Sequence, residues 1–143
     1  MYRVGFRVVD ARRSEVVLSN TAFSAPGWYI LNEPPIPNLP RNVAVERIME
    51  PQFVKLEWFP RHFGSANAAF PVQYRVEIFP MYVPGLNPNQ VVQGSLPAFY
   101  DVVPTNQYFL SFDKYLLEPG VTYAWRVQAI GDESLTLFHN QGY

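Results

Sequence analysis

The chain returns again and again to one pattern, a short run of alternating apolar and polar residues stopped by proline, glycine or asparagine. YRVGFRVV (residues 2–9), FVKLEWF (53–59), VQYRVEIF (72–79) and VTYAWRVQAI (121–130) all follow it. Alternation with period two puts one set of side chains on each face of an extended strand. In the last run Val121, Tyr123, Trp125 and Val127 share one face, and Thr122, Ala124, Arg126 and Gln128 the other. Fourteen prolines and eight glycines in 143 residues argue against long helices and for many short strands joined by turns. With 48% of residues apolar, the chain can bury one real core and is not a disordered tail.

Read in order, residues 2–9 form a strand, DARRSE a turn, and residues 16–20 a returning strand. LNEPPIPNLPRN follows, with four prolines between Pro34 and Pro40. Prolines fix φ and withhold backbone donors, so this stretch reads as a stiff connector and a domain boundary. Seven strands are expected beyond it, at 42–48, 53–59, 72–79, 98–103, 107–112, 121–130 and 135–140, spaced as in an antiparallel sandwich. The stretch 81–97 is turn-rich and reads as a long loop, and no helix is expected. The fold class is therefore all-β. Its parts are a β-hairpin at 1–30, a connector at 31–41 and a sandwich at 42–143.

The two ends resemble each other. YRVGFRVVDARRSEVVLSN and YAWRVQAIGDESLTLFHN both read as strand, polar turn and strand closing on asparagine. That similarity suggests tandem domains, with the first hairpin the last piece of a partial upstream copy.

Few chemistries are open to the chain. A formal net charge of −1 supplies no electrostatic footprint for nucleic acid or an anionic membrane. Without cysteine there is neither a disulfide nor a thiolate metal site. No apolar run is long enough to cross a membrane. Arg3 and Arg7 break up the start, which is not a signal peptide, so the targeting segment of an exported protein would lie elsewhere in a longer precursor. His62 and His139 are the two histidines, one in a loop and one in the final strand, with no metal-ligand spacing. Asp132 and Glu133 read as a solvated hairpin tip. No nucleophile elbow, phosphate loop or dinucleotide fingerprint occurs. The expectation is a non-enzymatic protein without cofactor or metal.

Binding is the remaining class. Trp28, within APGWYIL, is the best platform for stacking on a sugar ring, although packing against the connector is the plainer expectation. Arg61, His62 and Phe63 could contact a partner or a sugar. The blander expectation is that Phe63 and Phe70 tuck under the sandwich edge. Phe99, Tyr100, Tyr108 and Phe109 divide between core and surface, and those left outward form a plausible partner patch.

Residues 39–140 resemble a fibronectin type III domain. The resemblance rests on Leu39-Pro40 before the first strand, Trp58 in LEW on the second, Tyr74 in YRVEI on the third, and L-x-P-G-x-x-Y at Leu117, Pro119, Gly120 and Tyr123. It implies a seven-stranded sandwich with Trp58 in the core and Trp125 or Val127 facing the opposite sheet. It also implies a corner where Gly120 permits the turn and the Tyr123 hydroxyl bonds back to upstream backbone. NEPPIPNLPRN, WFPRHFGSANAAFPVQYRVEI, LEPGVTYAWRVQAI and LFHNQGY together resemble the repeat-bearing region of large fibronectin-type-III proteins of Bacteroidota, sometimes called TANFOR-domain proteins. That likeness implies export, association with the outer membrane or cell surface, and protein partners in a larger envelope assembly. It carries over no catalytic residues. A carbohydrate-binding accessory module is the alternative.

Overall fold

A computed structural model describes residues 3–25, 31–41, 51–63, 71–131 and 137–143. The chain divides into two units, Met1–Ile30 and Leu31–Tyr143.

The first unit is an antiparallel hairpin. Its paired strands are β1 (Gly5–Phe6) and β2 (Ala22–Phe23), with Gly5 opposite Phe23. A bridge between Val9 and Val17 continues the pairing toward the turn. There Asp10 Oδ1 accepts from the amides of Arg12 and Arg13 at 2.8 and 2.9 Å, the side chain standing in for backbone. The expected strand at 16–20 is thus reduced to a bridge, and the regular pairing lies further on, at Ala22–Phe23. Val4, Phe6 and Val8, which alternate along YRVGFRVV, are all more than half exposed.

The second unit contains β3 (Ile36–Leu39), β4 (Phe53–Phe59), β5 (Gln73–Met81), α1 (Pro88–Gly94), β6 (Phe99–Val103), β7 (Gln107–Ser111), β8 (Thr122–Ile130) and a 3-10 turn at His139–Gly142. The strands form two antiparallel sheets, ordered β3-β4-β7 and β6-β5-β8. Alternation decides which side chains meet between them. Leu56 and Trp58 from β4 and Tyr108 and Leu110 from β7 face Tyr74, Val76 and Ile78 from β5 and Val127 and Ala129 from β8. The Trp58 and Tyr74 rings lie 5.3 Å apart across the interior. The Tyr108 hydroxyl donates to Asp101 Oδ2 at 2.9 Å, so one polar bond also ties β7 to β6. Burial first, and then the neighbouring carboxylate, raises the Tyr108 hydroxyl above its ordinary pKa. The unit is an all-β antiparallel sandwich.

The outer face of β6-β5-β8 carries a buried charge. Glu77 is 1% exposed. It sits directly across from Arg126 on β8 and Tyr100 on β6. Arg75 Nε approaches its carboxylate at 3.0 Å, and Arg126 bonds to the other oxygen. Arg75 stacks on Tyr100 at 4.4 Å and Arg126 on Tyr143 at 4.1 Å. Two guanidiniums answer one carboxylate, and the rings cover the guanidinium faces, which makes a charge tolerable at this depth.

In the second unit three expected elements are corrected. The proline-rich stretch is no bare connector, because Ile36–Leu39 pairs with β4, Ile36 opposite Phe59 and Pro37 opposite Trp58. An edge strand needs donors on one side only, so proline is tolerated there. The stretch 81–97 is not all loop. Asn87 caps α1 by accepting from the Asn89 amide at 2.9 Å, and Pro88 occupies the first turn, where its missing N–H costs nothing. Val91 and Val92 of this helix pack on Phe79, Met81 and Ala124. The expected last strand, 135–140, does not run its length. Phe138 makes a single parallel bridge to Asn32, and the chain then curls through Asn140, Gln141 and Gly142 at φ 50, 58 and 89°. A Cβ on Gly142 would fall 2.1 Å from the Ala129 carbonyl oxygen, so only glycine fits against β8 there. The expected first strand, 42–48, lies outside the described residues.

Candidate functional site

The residues expected to be structural hold the frame. Trp58 is fully buried and Tyr74 is 3% exposed. Trp125, opposite Ile78, packs half-buried against the core. Leu117 is fixed by Gln52, whose amide oxygen accepts from its N–H at 2.8 Å and whose amide nitrogen donates to its carbonyl at 3.2 Å. Gly120 adopts φ 78°, a region costly for any residue with a Cβ. Beyond the turn, the Tyr123 hydroxyl oxygen accepts the Glu118 amide hydrogen at 2.8 Å. The corner expected from L-x-P-G-x-x-Y is present.

One end of the sandwich holds a cleft of about 610 Å³. The segment after β4 supplies Pro60, His62 and Phe63, the segment leading into β5 supplies Pro71 and Val72, β5 itself supplies Tyr74, and the β6–β7 connection with the first residue of β7 supplies residues 104–107. His62 lies in a loop, as expected, yet is only 6% exposed. The Tyr74 hydroxyl lies 3.3 Å from its Nδ1, and the Phe138 ring meets it edge-on at 6.2 Å. Loss of water holds the His62 imidazole below its ordinary pKa and pushes the Tyr74 hydroxyl up to about 12. Near neutral pH the cleft wall is therefore an uncharged imidazole beside an uncharged phenol.

Phe63, expected to tuck under the sandwich edge, is 69% exposed. Its ring leans on His62 at 4.4 Å, so one side of it is supported while much of it faces water. Phe70 lies outside the described residues, and so does Trp28. Arg61 is exposed and lies 3.4 Å from Glu33, which also stands 4.0 Å from His139 Nε2. Exposed pairs of this kind contribute little. His139 lies on the 3-10 turn and not on a strand. The structure thus brings His62 and Phe63 into one cleft, with Tyr74 as the partner of His62, and leaves Arg61 beside Glu33.

A second surface was missed as a unit in the sequence. On the outer face of β3-β4-β7, Phe53 and Phe109 stack with centroids 5.2 Å apart and planes 20° from parallel. At the other end Phe59 sits directly opposite Ile36. These four side chains are between 44% and 58% exposed. Between the two apolar ends Glu57 accepts from Asn38 Nδ2 at 2.8 Å and pairs with Lys55. Lys55, and then Asn38, hold the Glu57 carboxyl below its ordinary range. A signal was available, because Phe53 and Phe59 stand out of phase with Leu56 and Trp58 in FVKLEWF, so the strand is aromatic on both faces.

Among the described residues no group of three or more His, Asp or Glu side chains could hold a metal ion. Among the same residues no helix is long and apolar enough to cross a membrane. Asp132 and Glu133 lie outside the described residues. No family model, curated protein or solved structure matches the chain. What the fold defines is the class, an all-β antiparallel sandwich bearing an open cleft at one end and an aromatic outer sheet face.

Proposed function

We propose that the chain is a non-catalytic structural and interaction module of a large exported cell-envelope protein, working within a surface or secretion assembly. The observation that carries this reading is the outward Phe53–Phe109 stack with Phe59 and Ile36 on the same sheet face. Large apolar side chains gathered on an exposed face mark contact surfaces, and aromatics concentrate binding energy there. Export, placement in the periplasm or at the cell surface, and tandem repetition are part of the proposal. They are supported by the likeness of the two chain ends and by the resemblance to the Bacteroidota repeat proteins. The test is affinity co-purification of the full-length protein from native envelope, with and without Phe53→Ser and Phe109→Ser together. The doubly substituted protein should lose its envelope partner while the melting midpoint of the sandwich stays put. Equal recovery of the same partner from both would sink this reading.

The second reading, a carbohydrate-binding accessory module, is favoured by the cleft.

A further inference from the structure

We infer that the cleft between the segment after β4 and the β6–β7 connection is a binding site for a neutral saccharide, taken as one or two pyranose units. The inference deepens the second reading above and is independent of the sheet face. Size comes first. At about 610 Å³ the cleft falls within the range typical of small-ligand sites, roughly 300–1,000 Å³.

Charge comes next. Among the described residues, none of those lining the cleft is Asp, Glu, Lys or Arg. A charged ligand entering it would give up water without meeting an opposite charge, which is strongly unfavourable. The occupant is therefore uncharged.

Hydrogen-bonding chemistry then separates a sugar from a peptide. Three of the lining residues, Pro60, Pro71 and Pro104, have no backbone N–H to offer an extended chain. Recognition falls to Thr105 and Asn106: the Thr105 hydroxyl donates to the Gln107 carbonyl at 2.8 Å and keeps its oxygen to accept, while Asn106 Nδ2, 3.5 Å from the Trp58 carbonyl, leaves a second N–H and its Oδ1 for a ligand. A carboxamide presents a donor and an acceptor side by side, and an engaged hydroxyl still accepts. Adjacent sugar hydroxyls likewise offer a donor and an acceptor side by side, whereas a peptide alternates single donors and acceptors along its length. Phe63 completes the match, since its exposed ring is braced on His62 and can cover the apolar C–H face of a pyranose. Tyr74 is buried, with its hydroxyl directed to His62, so it forms the floor and not the platform.

The experiment is isothermal titration of the full chain with cellohexaose, xylohexaose, mannohexaose and, as the charged control, hexagalacturonate. A proline-rich decapeptide serves as the peptide control. At least one neutral oligosaccharide should bind, and neither control should. Phe63→Ala and Asn106→Ala change exposed side chains, so both variants should keep the parental melting midpoint. Each should weaken that binding by about tenfold or more. Phe53→Ala, on the distant sheet face, should leave it unchanged. The inference is overturned if none of the three neutral oligosaccharides binds, or if binding survives both cleft substitutions. Preference for the galacturonate or the peptide overturns it as well. None of these outcomes bears on the envelope partner, which is read out through Phe53 and Phe109.

Discussion

At Tyr123 a single oxygen closes a turn. The Glu118 amide reaches it at 2.8 Å, just before the Gly120 backbone swings to φ 78°. Tyr123→Phe removes the acceptor and leaves the ring, so it should cost about 1 kcal/mol, read as a lower denaturation midpoint. An unchanged midpoint would mean that water replaces the hydroxyl without loss. This corner was legible because L-x-P-G-x-x-Y is a local relation, with every participant within seven residues. His62 was not. Its burial depends on Tyr74 and on Phe138, near the far end of the chain, which no local pattern connects. Burial lowers its pKa, so the folded protein resists a proton that the unfolded chain accepts as pH falls through about 6.5. Stability from this site is complete above that value and declines below it, toward the lowered folded pKa. Between about pH 7.5 and about pH 5.5 the melting temperature should therefore fall, and His62→Gln should flatten the fall. Glu57 and Asp113 are lowered from 4.5 and 3.8, so their contributions are lost only in more acid solution. A slope that His62→Gln leaves intact would place its origin elsewhere.

Among the elements, β4 does the most to join the layers. It pairs with β3 on one edge and β7 on the other, and it sends Trp58 against Tyr74 of the opposite sheet. Trp58→Ala should cost about 3–5 kcal/mol, enough to unfold a marginal domain. The check is urea denaturation followed by far-ultraviolet circular dichroism. Native-like stability in that variant would show that the sheets do not depend on the indole. Phe53–Phe59 was readable to the residue because alternation and a bounding proline coincide there. Ile36–Leu39 was not, because proline argues against strands in general and only an edge position excuses it. The helix Pro88–Gly94 escaped for another reason. It is under two turns long and contains two β-branched valines, and its stability comes from the Phe79, Met81 and Ala124 surface that it covers.

For the whole molecule, the chain divides between Ile30 and Leu31. The stretch beyond it, read as a connector, belongs to the second unit and contributes a strand to it. Period-two alternation and frequent prolines determined an all-β antiparallel class, because the face a strand side chain occupies is a property of neighbours in the chain. The buried tryptophan at position 58 and the tyrosine corner were expected from the resemblance to fibronectin type III domains. Only the tertiary structure decided which outward aromatics gather on one face, that Glu77 would lie between Arg75 and Arg126, and that His62, Phe63 and residues 104–107 would meet around one cleft. Those outcomes depend on strand order and register. Order and register follow from how whole faces bury against each other, an energy summed over residues far apart in sequence and visible in no single stretch of it.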